Sequence, residues 1–330
     1  MAKLIFWALL LCLTASCGRP AQFRQADGAV WNTTYHIVYN APEDLRDSIV
    51  SVMKQVERSL SPFAKGSLIS RVNAGDSTAR ADSLLRKVMD ESKRINGLSG
   101  GAFDPTVAPL VNLWGFGYKN NLPDPTQNSI DSLLLSVGIA DCSITPDGRI
   151  VKKSHSTEFN FSAITKGYGV DLVGEMLKRN GATDYMVEIG GEIALHGLSP
   201  RHKLWSVMVD APVEADTVVH ERLTIIDATD CGIATSGNYR NFKHTAEGDT
   251  WHTISPKTGR PAVTDIRSAT VIAPCTMTAD ALATSCMAMP ASQALAMIEN
   301  IEGVEALFVV ADSVGHTDTI VATSGFPAMR

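Results

Sequence analysis

Apolar residues at Leu45, Ile49, Val52, Met53 and Val56 recur at the spacing of one helix face, just after a strand-like stretch, TYHIVYN, at 34–40. The pattern predicts a strand followed by an amphipathic helix. Leu84, Leu85, Val88 and Met89 repeat the helical spacing near Asp82 to Ile95, and the Gly100-Gly101 pair breaks that run. KNNLPDPTQNS reads as a loop and Ile130 to Val137 as a short helix. EFNFSA reads as a strand feeding a helix from about Lys166 to Arg179. Strands are expected at DYMVEI, EIALHG, WSVMVD, RLTIID and SATVIA, then a helix at 278–289, another opened by Pro290, and closing strands EALFVV and HTDTIVA. Strands and helices are mixed rather than strictly alternating, which predicts an α+β fold. No repeat, low-complexity tract or composition break divides the chain, so a single compact domain of mixed sheets and helices is expected over 28–330.

The first residues, MAKLIFWALLLCLTASC, follow a different pattern: one lysine, an apolar run from Leu4 to Leu13, small residues, then Cys17. The run is short for a spanning helix, which needs about 20 apolar residues, and reads as a signal peptide over 1–16. Ending on a cysteine, it resembles a bacterial lipoprotein signal, with Cys17 lipidated and 17–27 serving as lipidated cysteine and tether. An uncleaved anchor and ordinary secretion are the other readings. The folded part is expected outside the cytoplasmic membrane, anchored through Cys17 and facing the periplasm.

Composition adds exclusions. The 330 residues are 45% apolar and 19% charged, ordinary for a globular chain, and the net charge is -6 with no basic run, which argues against nucleic acid as a partner. Cys142, Cys231, Cys275 and Cys286 show neither a C-x-x-C pair nor a His/Cys metal spacing, so buried free thiols are expected, with a disulfide between two of them as the alternative.

Candidate chemistry gathers where glycines, hydroxyls and single charges crowd together. In TADALATS, Asp280 and Thr284 would lie one turn apart on one helix face, where two hard oxygens could grip a divalent cation. The plainer alternative is a helix start capped by Thr278, with Asp280 offsetting the dipole. GGAFDPTVAPLVNLWGFG places Asp104 before Pro105, a setting for an Asx turn. FNFSAITKGYGVD runs into a glycine-bearing helix start with Lys166 at the turn, suited to a phosphate, yet it matches neither the P-loop nor G-x-G-x-x-G. VEIGGEIALHG carries Gly190-Gly191, a bulge or a place of close ligand approach. IATSGNYRNF offers Thr235, Ser236 and Asn238, and in WHTISPKTGRPA His252 could be a general base or a structural histidine.

LSPFAKGSLISRVN, GAFDPTVAPLVNLWGFG, SAITKGYGVD, VEIGGEI, SGNYRNF, HTISPKTGRP and TADALATS, in this order, resemble the motifs of the ApbE family, the FAD:protein FMN transferases. The resemblance spans nearly the whole chain after the signal. It implies an exported α+β enzyme, often a lipoprotein, that uses Mg2+ with FAD as substrate. By position it implies metal ligands at Asp280, Thr284 and the Ala163 carbonyl. It places FAD against Trp31, Phe63, Ala102, Phe103, Asp104, Asn160, Lys166 and Ile254. Trp31 and Asn32 stand where the family commonly has Met-Gly, Asn160 and Ser255 where it has Asp, and Thr165 where it has Ala. The implied reaction cleaves FAD and attaches FMN through its phosphate to a threonine or serine of an acceptor, releasing AMP. Implied acceptors are flavoprotein subunits of membrane redox complexes or other exported proteins. His252, or Asp280, would take the hydroxyl proton. A hydrolase yielding FMN and AMP, and a non-catalytic FAD-binding lipoprotein, are the alternatives.

Overall fold

A computed structural model of the chain describes residues 22–119, 122–213, 220–238, 242–245, 248–311 and 318–330. Its strands are β1 (Gln22–Val30), β2 (Thr33–Ala41), β3 (Ser143–Ile144), β4 (Ile150–Val151), β5 (Asp184–Ile189), β6 (Glu192–His196), β7 (Trp205–Asp210), β8 (Arg222–Ala228), β9 (Cys231–Gly237), β10 (Phe242–Thr245), β11 (Gly248–Trp251), β12 (Ile266–Ala273), β13 (Glu305–Ala311) and β14 (Asp318–Ala322). The helices are α1 (Arg46–Leu60), α2 (Leu68–Asn73), α3 (Ser83–Leu98), α4 (Ala108–Leu113), α5 (Gln127–Leu134), α6 (Ser162–Arg179), α7 (Thr276–Cys286) and α8 (Ala291–Glu299).

Eight strands form one sheet in the order β1-β2-β5-β6-β9-β12-β13-β14, antiparallel throughout. Because side chains alternate across a strand, neighbouring residues serve opposite layers. Ile37, Tyr39 and Ala194 pack toward α1 and α6, whereas Val38, Leu195, Ile233 and Ile272 pack against Trp205, Val207 and Ile226 of the β7–β8 hairpin. The largest core lies among α3, α6, α7 and the sheet, with Phe159 and Phe161 stacked at 5.6 Å inside it. The α+β class and the single domain are as the sequence predicts. Among the described residues no helix is long and apolar enough to cross a membrane.

Several elements differ from expectation. EFNFSA is not a strand: Phe159 makes its backbone bonds with the Asn73 side chain, and Asn160 N donates to the Pro105 carbonyl. Two buried phenylalanines two residues apart imitate a half-buried strand, but among the described residues no strand pairs with them. Residues 22–27, expected within the tether, belong to β1, an edge strand whose pattern is mostly exposed. Its pairing is carried by backbone, so its side chains show no apolar alternation. α5 begins at Gln127, inside the expected loop, because Thr126 and Ser129 form a reciprocal cap. β9 forms where only a polar site stretch was read, since its ladders to β6 and β12 are long-range. Residues 1–21, including the signal and Cys17, lie outside the described residues, as do Tyr239, Arg240 and Asn241 of SGNYRNF. Cys142, Cys231, Cys275 and Cys286 are all free thiols, two buried and two half-buried.

Candidate active site

The start of α7 decides where the site lies. The helix begins at Thr276, two residues before the expected Thr278, and it is capped from outside: Asp171 of α6 accepts from the Thr276 and Met277 backbone N–H groups, each at 2.8 Å. Burial pushes the Asp171 carboxyl up to about 6, against those two bonds. Thr278 instead donates to Glu91 at 2.7 Å. Two glycines allow the close approach. A Cβ on Gly167 would stand 2.4 Å from the Thr276 carbonyl oxygen, and one on Gly232 would stand 2.2 Å from the Thr276 nitrogen. α7 is thus wedged between α6 and β9, and its next two turns face a cleft.

That cleft has a volume of about 700 Å³ and is walled by Phe63, the 102–105 turn, the first turn of α6, the end of β9 and the 252–256 segment. Asp280 and Thr284 both line it, together with Ala163 and Lys166. Asp280 is buried, and its Oδ2 accepts from the Gly167 N–H at 2.9 Å. In an uninterrupted helix that N–H would serve the Ala163 carbonyl four residues back, so Ala163, itself in the cleft wall, has to share or forgo that partner. Thr284 Oγ1 lies 3.3 Å from Ser236 Oγ. A carboxylate, a hydroxyl and a carbonyl on one cleft floor are hard oxygens only, a donor set that fits Mg2+ and leaves positions for water and phosphate. No group of three or more His, Cys, Asp or Glu that could hold a metal occurs among the described residues.

Glu192, which sequence reasoning missed, completes the floor. It opens β6 after the Gly190-Gly191 turn, is 3% exposed, and forms an ion pair with Lys166. Its second oxygen, Oε2, is buried without a hydrogen-bond partner. Burial pushes both Glu192 and Asp280 above the usual carboxylate range, and Lys166 opposes the rise in each. Two buried carboxylates around one ammonium leave the floor net negative when ionised. The signal for Glu192 was present in VEIGGEI, but a glutamate next to glycines is common on surfaces and nothing local tells it from one.

The other predicted positions divide by what their side chains face. Asp104 lines the cleft, yet its carboxylate is committed to the protein: Oδ1 accepts from Thr106 N and Oγ1, and Oδ2 from Ile139 N. Burial raises its pKa. The expected Asx turn is therefore present. Asn160 likewise accepts from Ser162 N at 3.0 Å and from its hydroxyl at 2.6 Å, fixing the first turn of α6. Ala102, Phe103 and Ile254 are in the wall, and His252 lines the cleft with its ring edge-on to Phe116 at 6.5 Å. Phe63 is 57% exposed and meets the edge of Tyr118 at 6.1 Å. Trp31 is the exception. It sits with Asn32 in a left-handed turn between β1 and β2, φ 50° and 60°, its indole pressed onto Gly169. It lines a second cavity of about 610 Å³ that adjoins the first through Phe63, Ser162 and Lys166. Trp31 Nε1 and Thr165 Oγ1 are both buried there without partners.

The sequence profile of the ApbE family matches residues 31–308, the span that carries all of these positions. The chain belongs to the ApbE family. An FAD:protein FMN transferase of Vibrio cholerae is 37% identical over 300 residues, covering 88% of each chain, and one of Haemophilus influenzae is 32% identical over 318 residues, covering 91% of each. Among solved structures, the flavin transferase ApbE from Vibrio cholerae superposes with a TM-score of 0.81 at 34% identity, over 93% of this chain and 99% of that one. The apo form of the Pseudomonas stutzeri flavinyl transferase ApbE gives 0.80 at 29% identity, over 92% and 95%. The overall fold is thus one that these ApbE structures share.

Proposed function

We propose that this ApbE-family protein is an FAD:protein FMN transferase, which moves FMN from FAD to a threonine or serine hydroxyl of an acceptor protein and releases AMP. The observation that carries the reading is the placement of Asp280, Thr284, Ala163 and Lys166 on one floor of the cleft. The names of the two curated relatives support the same activity.

In this reading Asp280, Thr284 and the Ala163 carbonyl hold Mg2+. The ion, when bound, supplies Lewis-acid neutralisation at the diphosphate, an effect of several kcal/mol on such transfers. Lys166 places an ammonium beside the same diphosphate, a point charge that a flexible stem can aim. The acceptor hydroxyl oxygen bonds to the FMN phosphorus, the bond from that phosphorus to the AMP oxygen breaks, and AMP carries away the electron pair. His252 is the group assigned to the hydroxyl proton; its place in the cleft wall supports this. Asp280 is the less suited base, because one of its oxygens already accepts from Gly167. The two adjoining cavities suit a substrate with two ring systems and a charged middle, with Lys166 at the junction and Trp31 and Phe63 offering aromatic faces. Asp104 and Asn160 act through the backbone they fix rather than by charge.

Incubation with FAD, Mg2+ and an acceptor protein, followed by intact mass of the acceptor, tests the activity. A covalent FMN adduct with AMP in solution is expected. Free FMN despite a competent acceptor would show a hydrolase, and intact FAD a binding protein. Lipid anchoring through Cys17 belongs to the same reading, supported by the apolar run and small residues before that cysteine. Cys17→Ala should release the protein from the membrane fraction or leave it unprocessed; unchanged processing and membrane association would remove the anchor.

A further inference from the structure

Glu192 raises a physical question that the transfer reaction leaves open. A buried carboxylate with one oxygen unpartnered costs free energy, so its retention on a cleft floor asks for a reason. Its position is rigid: Ile189 and Glu192 pair across the two-glycine turn, and Gly190 and Gly191 hold φ of 63° and 97°, values that glycine adopts without strain. The ammonium it binds is not rigid. Lys166 carries its charge on a four-carbon stem and sits one residue before Gly167, whose N–H touches Asp280. Both carboxylates attract the same ammonium. Were Lys166 to settle on Asp280, a divalent cation would have to displace it before binding. In the structure Glu192 holds it instead.

We propose that Glu192 is a positioning residue that keeps the Lys166 ammonium off Asp280, so that the Asp280 carboxylate stays open to the divalent cation. The proposal rests on the reading of Asp280 and Thr284 as cation ligands. Glu192 touches neither substrate nor cation in it; it acts by deciding which carboxylate Lys166 neutralises. Opposite charges a few ångströms apart in a half-buried site interact strongly enough for that choice to matter.

The test uses Mn2+ alone as probe, with free Mn2+ counted by its paramagnetic resonance signal, on the full-length protein without FAD. Glu192→Gln is expected to weaken Mn2+ binding on the order of tenfold, because Lys166 turns to the remaining buried charge. Adding Lys166→Met to that variant is expected to restore wild-type affinity or better, since the competitor is gone. A merely structural role for Glu192, or direct ligation by it, would instead make Glu192→Gln weaken Mn2+ binding as much in a Lys166→Met background as in the wild type, because deleting the ammonium alone already favours a cation. That result, or unchanged affinity in Glu192→Gln, overturns the proposal. Should Glu192→Gln fail to fold, Glu192→Asp draws the carboxylate back by one methylene and carries the same comparison with and without Lys166→Met. Asp280→Asn separates the two readings: if it leaves Mn2+ binding intact, the ligand assignment fails, whereas a loss there with no effect of Glu192→Gln rejects only the positioning role.

Discussion

Gly167 donates its backbone N–H to Asp280 Oδ2 at 2.9 Å, across a helix crossing so close that a Cβ on Gly167 would lie 2.8 Å from the Asp280 Cβ. The contact ties the first turns of α6 to the cleft-facing turns of α7. It makes a helical glycine, ordinarily a weakness worth about 1 kcal/mol relative to alanine, a requirement of the site.

Gly167→Ala is therefore expected to destabilise the protein despite alanine's better helix propensity. Overpacking costs typically ~1–3 kcal/mol, and here the obstructing atom is the Thr276 carbonyl oxygen, which cannot rotate away. Denaturant unfolding should show the loss, and Mn2+ affinity should fall with it as Asp280 shifts. Equal or higher stability would mean that the crossing is looser than described.

Asp280→Asn keeps the side-chain shape and removes the charge assigned to the cation. Flavin transfer should fall on the order of 100-fold or more, the scale of a loss of several kcal/mol in the transition state. Thr284→Val should cost less, because water can replace a neutral hydroxyl ligand. Both rates are measured on an acceptor protein at limiting Mg2+, and full activity in folded Asp280→Asn would sink the metal assignment.

Phe63→Ala tests the aromatic wall. The ring is 57% exposed and rests on Tyr118, so its loss should leave the melting temperature nearly unchanged. FAD binding should weaken by up to about tenfold, matching the ~0.5–1.5 kcal/mol typical of an aromatic pair. Fluorescence titration with FAD measures it. Unchanged affinity here and in Trp31→Ala would take both residues out of the site.

Asp171 sets a pH dependence. Its folded pKa is raised by burial to about 6, from 3.8, so the folded state holds that proton more tightly than the unfolded chain. Its contribution is fully present below about pH 4 and is lost as pH rises through about 6. Other carboxylates shift in both directions, so the readout is the difference between wild type and Asp171→Asn. Relative to the variant, wild type should lose roughly 1–3 kcal/mol between pH 4 and pH 7, at about 1.4 kcal/mol per pKa unit. A difference that does not change with pH would show that the two N–H bonds at the α7 start cancel the burial.

Local pattern carried most of this protein. The 3.6-residue spacing of α1 and α3 and the alternation of β7 and β8 are legible because one face of each element is buried, whereas α7 is buried on nearly every side and shows itself by the D-x-x-x-T spacing of its polar residues. What depended on distant partners was not legible. β1 is held by ladder bonds from a mostly exposed edge, so its side chains carry no pattern. Phe159 and Phe161 looked like strand residues, although Asn73 and Pro105 take the bonds a ladder would have supplied. The true cap of α7 is Asp171, from a helix about a hundred residues earlier, so the helix starts at Thr276 rather than at Thr278.

The same division runs through the site. The sequence by itself determined which residues carry hard oxygens and charge, and their order in seven motifs named the family. Only the tertiary structure decided which of those groups face the cleft. It turned the second Asp104 oxygen to Ile139, moved Trp31 to an adjoining cavity, and brought Glu192 to Lys166. A side chain's charge is a property of its residue, but where that charge is spent depends on the donors that packing places around it, and here those donors come from elements far apart in the chain.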